Sequence, residues 1–288
     1  MKPYLADPAE TKKIIAKYEF AFRKQFGQNF LIDAAVPESI VRAAGLTKND
    51  IVLEIGPGIG TMTQYLAEAA GKVIAVEIDK ALLPILADTL AGFDNVSVIQ
   101  GDILKTDIPA LIDEYGGGPV KVVANLPYYI TTPIIMKLLA LRSGISLMAL
   151  MVQEEVADRI VSGPGTKAYG ALSLGVQYYA EPKTVCRVSP GSFMPQPKVA
   201  SAVLLLEKRA VPKAAPKDEE HMFACVKAAF LQRRKTLPNA LAGYAPLKLS
   251  REKAAEAMRE MGLDERLRGE TLTLEQFAQL SDRIIEKA

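Results

Sequence analysis

Five short apolar runs recur along the first half of the chain: "DIVLEIG" (50–56), "KVIAVEID" (72–79), "NVSVIQGD" (95–102), "VKVVANL" (120–126) and "ISLMALMV" (145–152). They are continuous rather than alternating, the pattern of parallel strands covered on both faces. Between them, "TMTQYLAEAA" and "ALLPILADTLAG" carry apolar residues at helical spacing. Strand and helix in alternation predict βαβ units and a doubly wound α/β domain. After "YGALSLGVQYYA" come two more strand candidates, "KTVCRVS" (183–189) and "SAVLLLEKR" (201–209), joined by the Pro- and Gly-rich loop "PGSFMPQP". The expected core is therefore a mostly parallel, seven-stranded sheet. "AVPKAAPKDEE" (210–220) reads as a linker. The remainder reads as a small all-α domain with a stop at "LAGYAPLKLS". The expected division is 1–209, 210–220 and 221–288.

Composition narrows the chemistry. Of 288 residues, 49% are hydrophobic, enough for a sizeable core, and the net charge is +2. Charge matters only locally. Residues 221–250 contain no Asp or Glu but hold Lys227, Arg233, Arg234, Lys235 and Lys248. Residues 12–24 hold Lys12, Lys13, Lys17, Arg23 and Lys24 against Glu19. Two basic stretches on a near-neutral chain suggest a localised footprint for a polyanion, although charge runs are commonly just solvated helix faces. Two cysteines and one histidine give no disulfide framework and no Cys/His zinc site. The N-terminus lacks the apolar stretch of a leader, and no apolar run reaches the ~18 residues of a membrane span. A cytoplasmic protein without a structural metal is expected.

The chemistry gathers where strands end. The first strand runs into "EIGPGIGTMT", which places Gly56, Gly58 and Gly60 after Glu54. A glycine-rich turn leading into a helix lets a ligand approach the backbone. The third glycine comes one residue too early for a dinucleotide fingerprint, and Pro57 suits a pyrophosphate poorly. The second strand ends in "VEID", setting Glu77 where a carboxylate can take a ribose diol. The third ends in "QGD", setting Asp102 beside the same crevice. Each alone could simply cap the next helix. Together with the glycine turn they point to a nucleoside-type cofactor.

The fourth strand ends in "NLPYYI". Asn125 offers a side-chain oxygen. Leu126 precedes Pro127, which confines it to extended conformations and fixes its carbonyl. Tyr128 offers a flat ring. The plainer alternative is a strand-ending turn, which Asn and Pro favour. These motifs, with "GQNFLID", "SFMPQPKVASAV" and "AAFLQRRKTL", resemble the bacterial 16S ribosomal RNA adenine dimethyltransferases, a family of class I S-adenosylmethionine-dependent methyltransferases. The resemblance runs from about residue 18 to about residue 277. It implies a Rossmann-like catalytic domain that dimethylates two adjacent adenosines in a hairpin loop near the 3′ end of 16S rRNA, in the small subunit or its precursor.

By that resemblance Asn29 and Leu31 close over the methionine half of S-adenosylmethionine. Gly56 and Gly58 form the turn beneath it, braced by Glu54. Glu77 takes the ribose, Asp102 the adenine amine, and Asn125 lies beside both cofactor and target. Asn125 and the Leu126 carbonyl would accept the two hydrogens of the target amine, with Tyr128 stacking on the flipped base. Phe193 is expected as a second aromatic wall and Tyr129 as packing. Arg233, Arg234 and Lys235 are expected on RNA, and the chain is expected to act as a monomer. Three other readings stay open: a large-subunit rRNA methyltransferase of the macrolide-resistance type, a methyltransferase of DNA adenine or protein glutamine, and an assembly factor whose main task is binding immature subunits.

Overall fold

The computed structural model of the protein describes residues 4–23, 26–141 and 143–287. Its strands are β1 (Phe30–Leu31), β2 (Ile51–Ile55), β3 (Lys72–Glu77), β4 (Val96–Gln100), β5 (Val120–Asn125), β6 (Ile145–Gln153), β7 (Ala180–Val188), β8 (Phe193–Met194) and β9 (Ser201–Lys208). Seven of them form one sheet in the order β4-β3-β2-β5-β6-β9-β7. The first five in that order run parallel, and β9 is antiparallel to β6. The expected doubly wound, mostly parallel sheet is present. Val52, Leu53, Val122, Val123 and Met148 are all fully buried, as continuous apolar runs require.

Two features differ from expectation. β7 starts at Ala180 and includes Pro182. It lies at the edge of the sheet, where a missing N–H breaks no ladder on the open side. β1 and β8 form a separate antiparallel ribbon that pairs Phe30 with Met194 and Leu31 with Phe193. Two residues per strand are too few to leave a periodicity in the sequence.

The chain falls into two compact units. One runs to Ala157 and adds Glu181–Lys208; the other comprises Asp158–Ala180 and the chain from Arg209 onward. Residues 158–180 thus group with the C-terminal helices instead of with the sheet. The reason is burial: Tyr169, Leu174 and Tyr178 sit in one cluster with Met222, Cys225 and Phe277. The Tyr169 hydroxyl donates to the Leu272 carbonyl at 3.0 Å. The expected linker is pinned at its start, where the Lys213 N–H donates to the Tyr178 carbonyl at 2.9 Å. Helical spacing reveals an apolar face but not what will cover it.

In the sheet, the strand order reverses between β2 and β5. Ligands of open α/β sheets bind in the crevice at the carboxyl ends beside such a reversal.

Candidate active site

A cleft of about 1000 Å³, counting its open mouth, lies at those carboxyl ends. It brings together Asn29, Leu31, Glu54, Gly56, Gly58, Glu77, Asp102, Asn125, Leu126, Pro127 and Tyr128. The glycine turn is tight for a physical reason. Gly58 has φ +62°, a conformation that strains any side chain, and a Cβ there would also press on the Phe30 ring at 3.2 Å, which would have to give by a few tenths of an ångström. Glu77 holds this turn from the neighbouring strand: one carboxylate oxygen accepts the Gly58 N–H at 3.2 Å, the other the Asp79 N–H at 2.8 Å. Burial raises the Glu77 carboxyl above its ordinary range, and the N–H groups of Asp79, Gly58 and Ile78 oppose that rise.

Glu54 is 2% exposed. Burial pushes its carboxyl up to about 8; the Thr63 hydroxyl opposes the rise and the Glu77 charge adds to it. Its Oε2 and the Thr61 hydroxyl, both in residues lining the cleft, have no hydrogen-bond partner among the described residues. Buried atoms of this kind suit a ligand that brings its own donors or positive charge. An unfolded Glu titrates near about 4.3. Between that pH and about 8 the folded chain keeps a proton that the unfolded chain has lost. This contribution to stability is fully present below about 4.3 and is lost as pH rises to about 8. The melting temperature of the ligand-free protein should therefore fall across this window, and Glu54→Gln should flatten the fall. A Glu54→Gln protein with the parent's pH slope would remove Glu54 as its source.

The strand end is held from several sides. The Asn125 Nδ2 donates to the Asn29 carbonyl at 3.2 Å, and the Asn29 Nδ2 to the Gly27 carbonyl at 3.0 Å. A carbonyl can only accept, so this bond turns the Asn125 Oδ1 the other way. The Leu126 N–H extends the pairing of β5 by donating to the Met151 carbonyl at 3.0 Å. The Pro127 carbonyl accepts from the Ile130 N–H at 3.2 Å and from the Thr131 hydroxyl at 3.0 Å, which ties the turn to the helix Thr131–Ala140. The Tyr128 hydroxyl lies 2.7 Å from that of Ser201, itself fully buried at the head of β9. Burial raises the Tyr128 titration, with the Ser201 bond opposing it.

Two aromatic assignments need correction. Phe193 is 3% exposed, packs with Leu31, Val36 and Val203 in the core, and does not line the cleft. Pairing of β8 with β1 sets it opposite Leu31, and its ring packs in that core as an anchor of the ribbon. Tyr129, expected to pack, is 56% exposed and lines the cleft. Its neighbour Tyr128 takes the inward position. The Tyr129 hydroxyl is raised first by burial, then by the charges of Asp102 and Glu77.

The basic stretches are partly neutralised. The Arg233 Nε pairs with Glu270 at 2.7 Å and its guanidinium donates to the Lys167 carbonyl at 2.7 Å, while Arg234 and Lys235 are exposed. Lys13 pairs with Glu10 and Lys17 with Asp88. Arg23 pairs at 3.0 Å with the buried Asp79, which also accepts from Gln28 at 2.8 Å. Lys24 lies outside the described residues. Asp79, Gln28 and Ser201 all sat within the quoted motifs, but nothing in their spacing joins them.

Among the described residues lining the cleft, three carry carboxyl groups (Glu54, Glu77 and Asp102) and none is Lys, Arg or His. That lining fits a positively charged nucleoside and disfavours a pyrophosphate.

Comparison with known proteins agrees with this geometry. Residues 19–286 match the family described as ribosomal RNA adenine dimethylase. The chain is 56% identical over 286 residues to "Ribosomal RNA small subunit methyltransferase A" of Lachnoclostridium phytofermentans, with 99% of each chain covered. It is 50% identical over 281 residues to the protein of that name in Alkaliphilus metalliredigens, with 97% of this chain and 98% of that one covered. Among solved structures it is similar to a dimethyladenosine transferase from Plasmodium falciparum, with TM-score 0.74, 26% identity, and 87% of this chain and 95% of that one covered. It is also similar to the 23S rRNA methyltransferase ErmE, with TM-score 0.69, 27% identity, and coverage of 89% and 100%. The fold, the strand-end motifs and a match spanning nearly the whole chain place it in one group: the chain belongs to the ribosomal RNA adenine dimethylase family.

Proposed function

We propose that the chain transfers methyl groups from S-adenosylmethionine to the exocyclic amines of two adjacent adenosines in the 3′-terminal hairpin loop of 16S rRNA, acting as a monomer on the small subunit or its precursor. One observation carries the reading: a cleft lined, among the described residues, by three carboxyl groups and no basic side chain opens at the strand end that presents Asn125, Leu126, Pro127 and Tyr128. S-adenosylmethionine, when bound, supplies a methyl group activated by a positively charged sulfur. Glu77 receives its ribose hydroxyls and Asp102 its adenine amine. Asn29 and Leu31 close over the methionine half, and Gly56 and Gly58 form the turn below, held by Glu77, with Glu54 lining the same cleft in place of the brace expected of it. Asn125 Oδ1 and the Leu126 carbonyl accept the two hydrogens of the target amine. Holding both favours a pyramidal nitrogen whose lone pair is withdrawn from the ring, which is positioning and electrostatic catalysis. Tyr128 stacks on the extruded base. No strong general base is required.

The test is incubation with labelled S-adenosylmethionine and unmethylated small subunits, large subunits, free RNA or DNA, followed by nucleoside analysis. Label should enter small subunits and be recovered as dimethyladenosine. Label in large subunits or DNA in its place would overturn the substrate assignment. Binding of small subunits with no label transferred would favour the assembly-factor reading.

On the RNA side, Arg234 and Lys235 contact phosphates, while Arg233 holds its own unit together through Glu270. Replacing Arg234 and Lys235 with Ala should weaken subunit binding and flatten its salt dependence by about 0.7–0.9 units of slope per lost contact. Arg233→Ala should lower the melting temperature instead. An unaltered salt slope in the double variant would move the RNA footprint elsewhere.

A further inference from the structure

Lys137 belongs to no motif quoted above, yet its ammonium group is fully engaged. It donates to the carbonyls of Ile103 at 2.9 Å, Leu104 at 2.8 Å and Thr106 at 2.8 Å. An ammonium has three hydrogens, so every one is spent on a single loop. That loop begins at Asp102. Its turn is wound by the Asp102 carbonyl, which accepts from the Lys105 N–H at 2.8 Å and from the Thr106 N–H and hydroxyl at 2.9 Å. One Asp102 carboxylate oxygen accepts the Leu104 N–H at 2.9 Å. With the amides drawn inward, three carbonyls converge on one point outside the turn, and Lys137 occupies it.

The other end of the same helix holds the catalytic turn, through the Thr131 hydroxyl and the Pro127 carbonyl. Between these two ties, Ile134 lines the cleft. One helix of 10 residues therefore fixes two loops: the one that ends in Tyr128 and the one that starts at Asp102. We infer that Lys137 is a positioning residue that aims Asp102 at the cofactor's adenine and so sets the preference for that base. This rests on the proposed role of Asp102 as acceptor of the adenine amine.

The experiment compares binding of S-adenosylhomocysteine with that of S-inosylhomocysteine, in which a ring carbonyl replaces the amine. The parent should prefer the adenosyl ligand by at least about tenfold, the order expected of a charge-assisted hydrogen bond. Asp102→Ala should abolish the preference. Lys137→Met should cut it to about threefold or less, chiefly by weakening the adenosyl ligand, and Lys137→Arg should restore part of it. Turnover at saturating S-adenosylmethionine should change little, because Thr131 still holds the catalytic turn. If the parent shows no preference, or Asp102→Ala retains it, the role of Asp102 falls and this inference with it. If Asp102→Ala loses the preference and Lys137→Met keeps it, or loses affinity equally for both ligands, Lys137 is only a structural strut. Should Lys137→Met fail to fold, Lys137→Gln, with two donors in place of three, takes its place in the comparison with the same two outcomes.

Discussion

Asn125→Ala should bind S-adenosylmethionine and small subunits nearly as well as the parent and turn over about 10²–10³-fold more slowly, the usual cost of removing one preorganised electrostatic partner. The size of the effect follows from the amine. Adenine's exocyclic nitrogen shares its lone pair with the ring and becomes nucleophilic only when its hydrogens are held out of the ring plane. The Asn29 carbonyl fixes the Asn125 amide so that its oxygen faces away from that carbonyl, and no reorganisation is needed at the moment of reaction. Asn125→Asp separates the two functions of the side chain. It keeps an acceptor but would set a carboxylate against the Asn29 carbonyl, two acceptors where the native pair are 3.2 Å apart. Asp should therefore rescue poorly, and its deficit should ease as the carboxyl is protonated. Single-turnover methylation of under-methylated small subunits, with mono- and dimethyladenosine resolved, reads both variants. If Asn125→Ala matched the parent, the strand end would be only a turn.

Much of this site is legible in the sequence because burial on both faces of a parallel sheet is written as unbroken apolar runs. Polar residues then fall at or just beyond the carboxyl ends: Glu77 closes β3, Asn125 closes β5, and Asp102 follows β4 by two residues. The contacts that set their orientation are not legible. Lys137 reaches back 34 residues to Ile103, and Tyr128 reaches forward 73 to Ser201. Neither distance leaves a trace in local periodicity. Aromatic rings are ambiguous for a related reason. A ring near a turn can face either way, and the two-residue ribbon of β1 and β8 decided for Phe193. Charge runs mislead differently. "QRRK" reports cations but not that Glu270 has claimed Arg233.

Tyr128→Ala should reduce turnover by about 10–100-fold, because base–aromatic stacking is worth ~1–3 kcal/mol. The loss should appear in the chemical step and in the affinity for the target loop, with binding of S-adenosylmethionine little changed. Tyr128→Phe is the discriminating comparison. The ring survives, but the Ser201 hydroxyl, 2.7 Å away and fully buried, loses its partner. An unpaired buried hydroxyl costs about 1–3 kcal/mol, so Tyr128→Phe should melt several degrees lower, as should Ser201→Ala. Combining the two should recover part of the stability, since no orphaned hydroxyl then remains. Turnover of Tyr128→Phe should stay within about tenfold of the parent if the ring is the working part. A Tyr128→Phe enzyme as slow as Tyr128→Ala would assign the work to the hydroxyl and its tether to Ser201, and stacking would no longer explain why this strand ends in tyrosine.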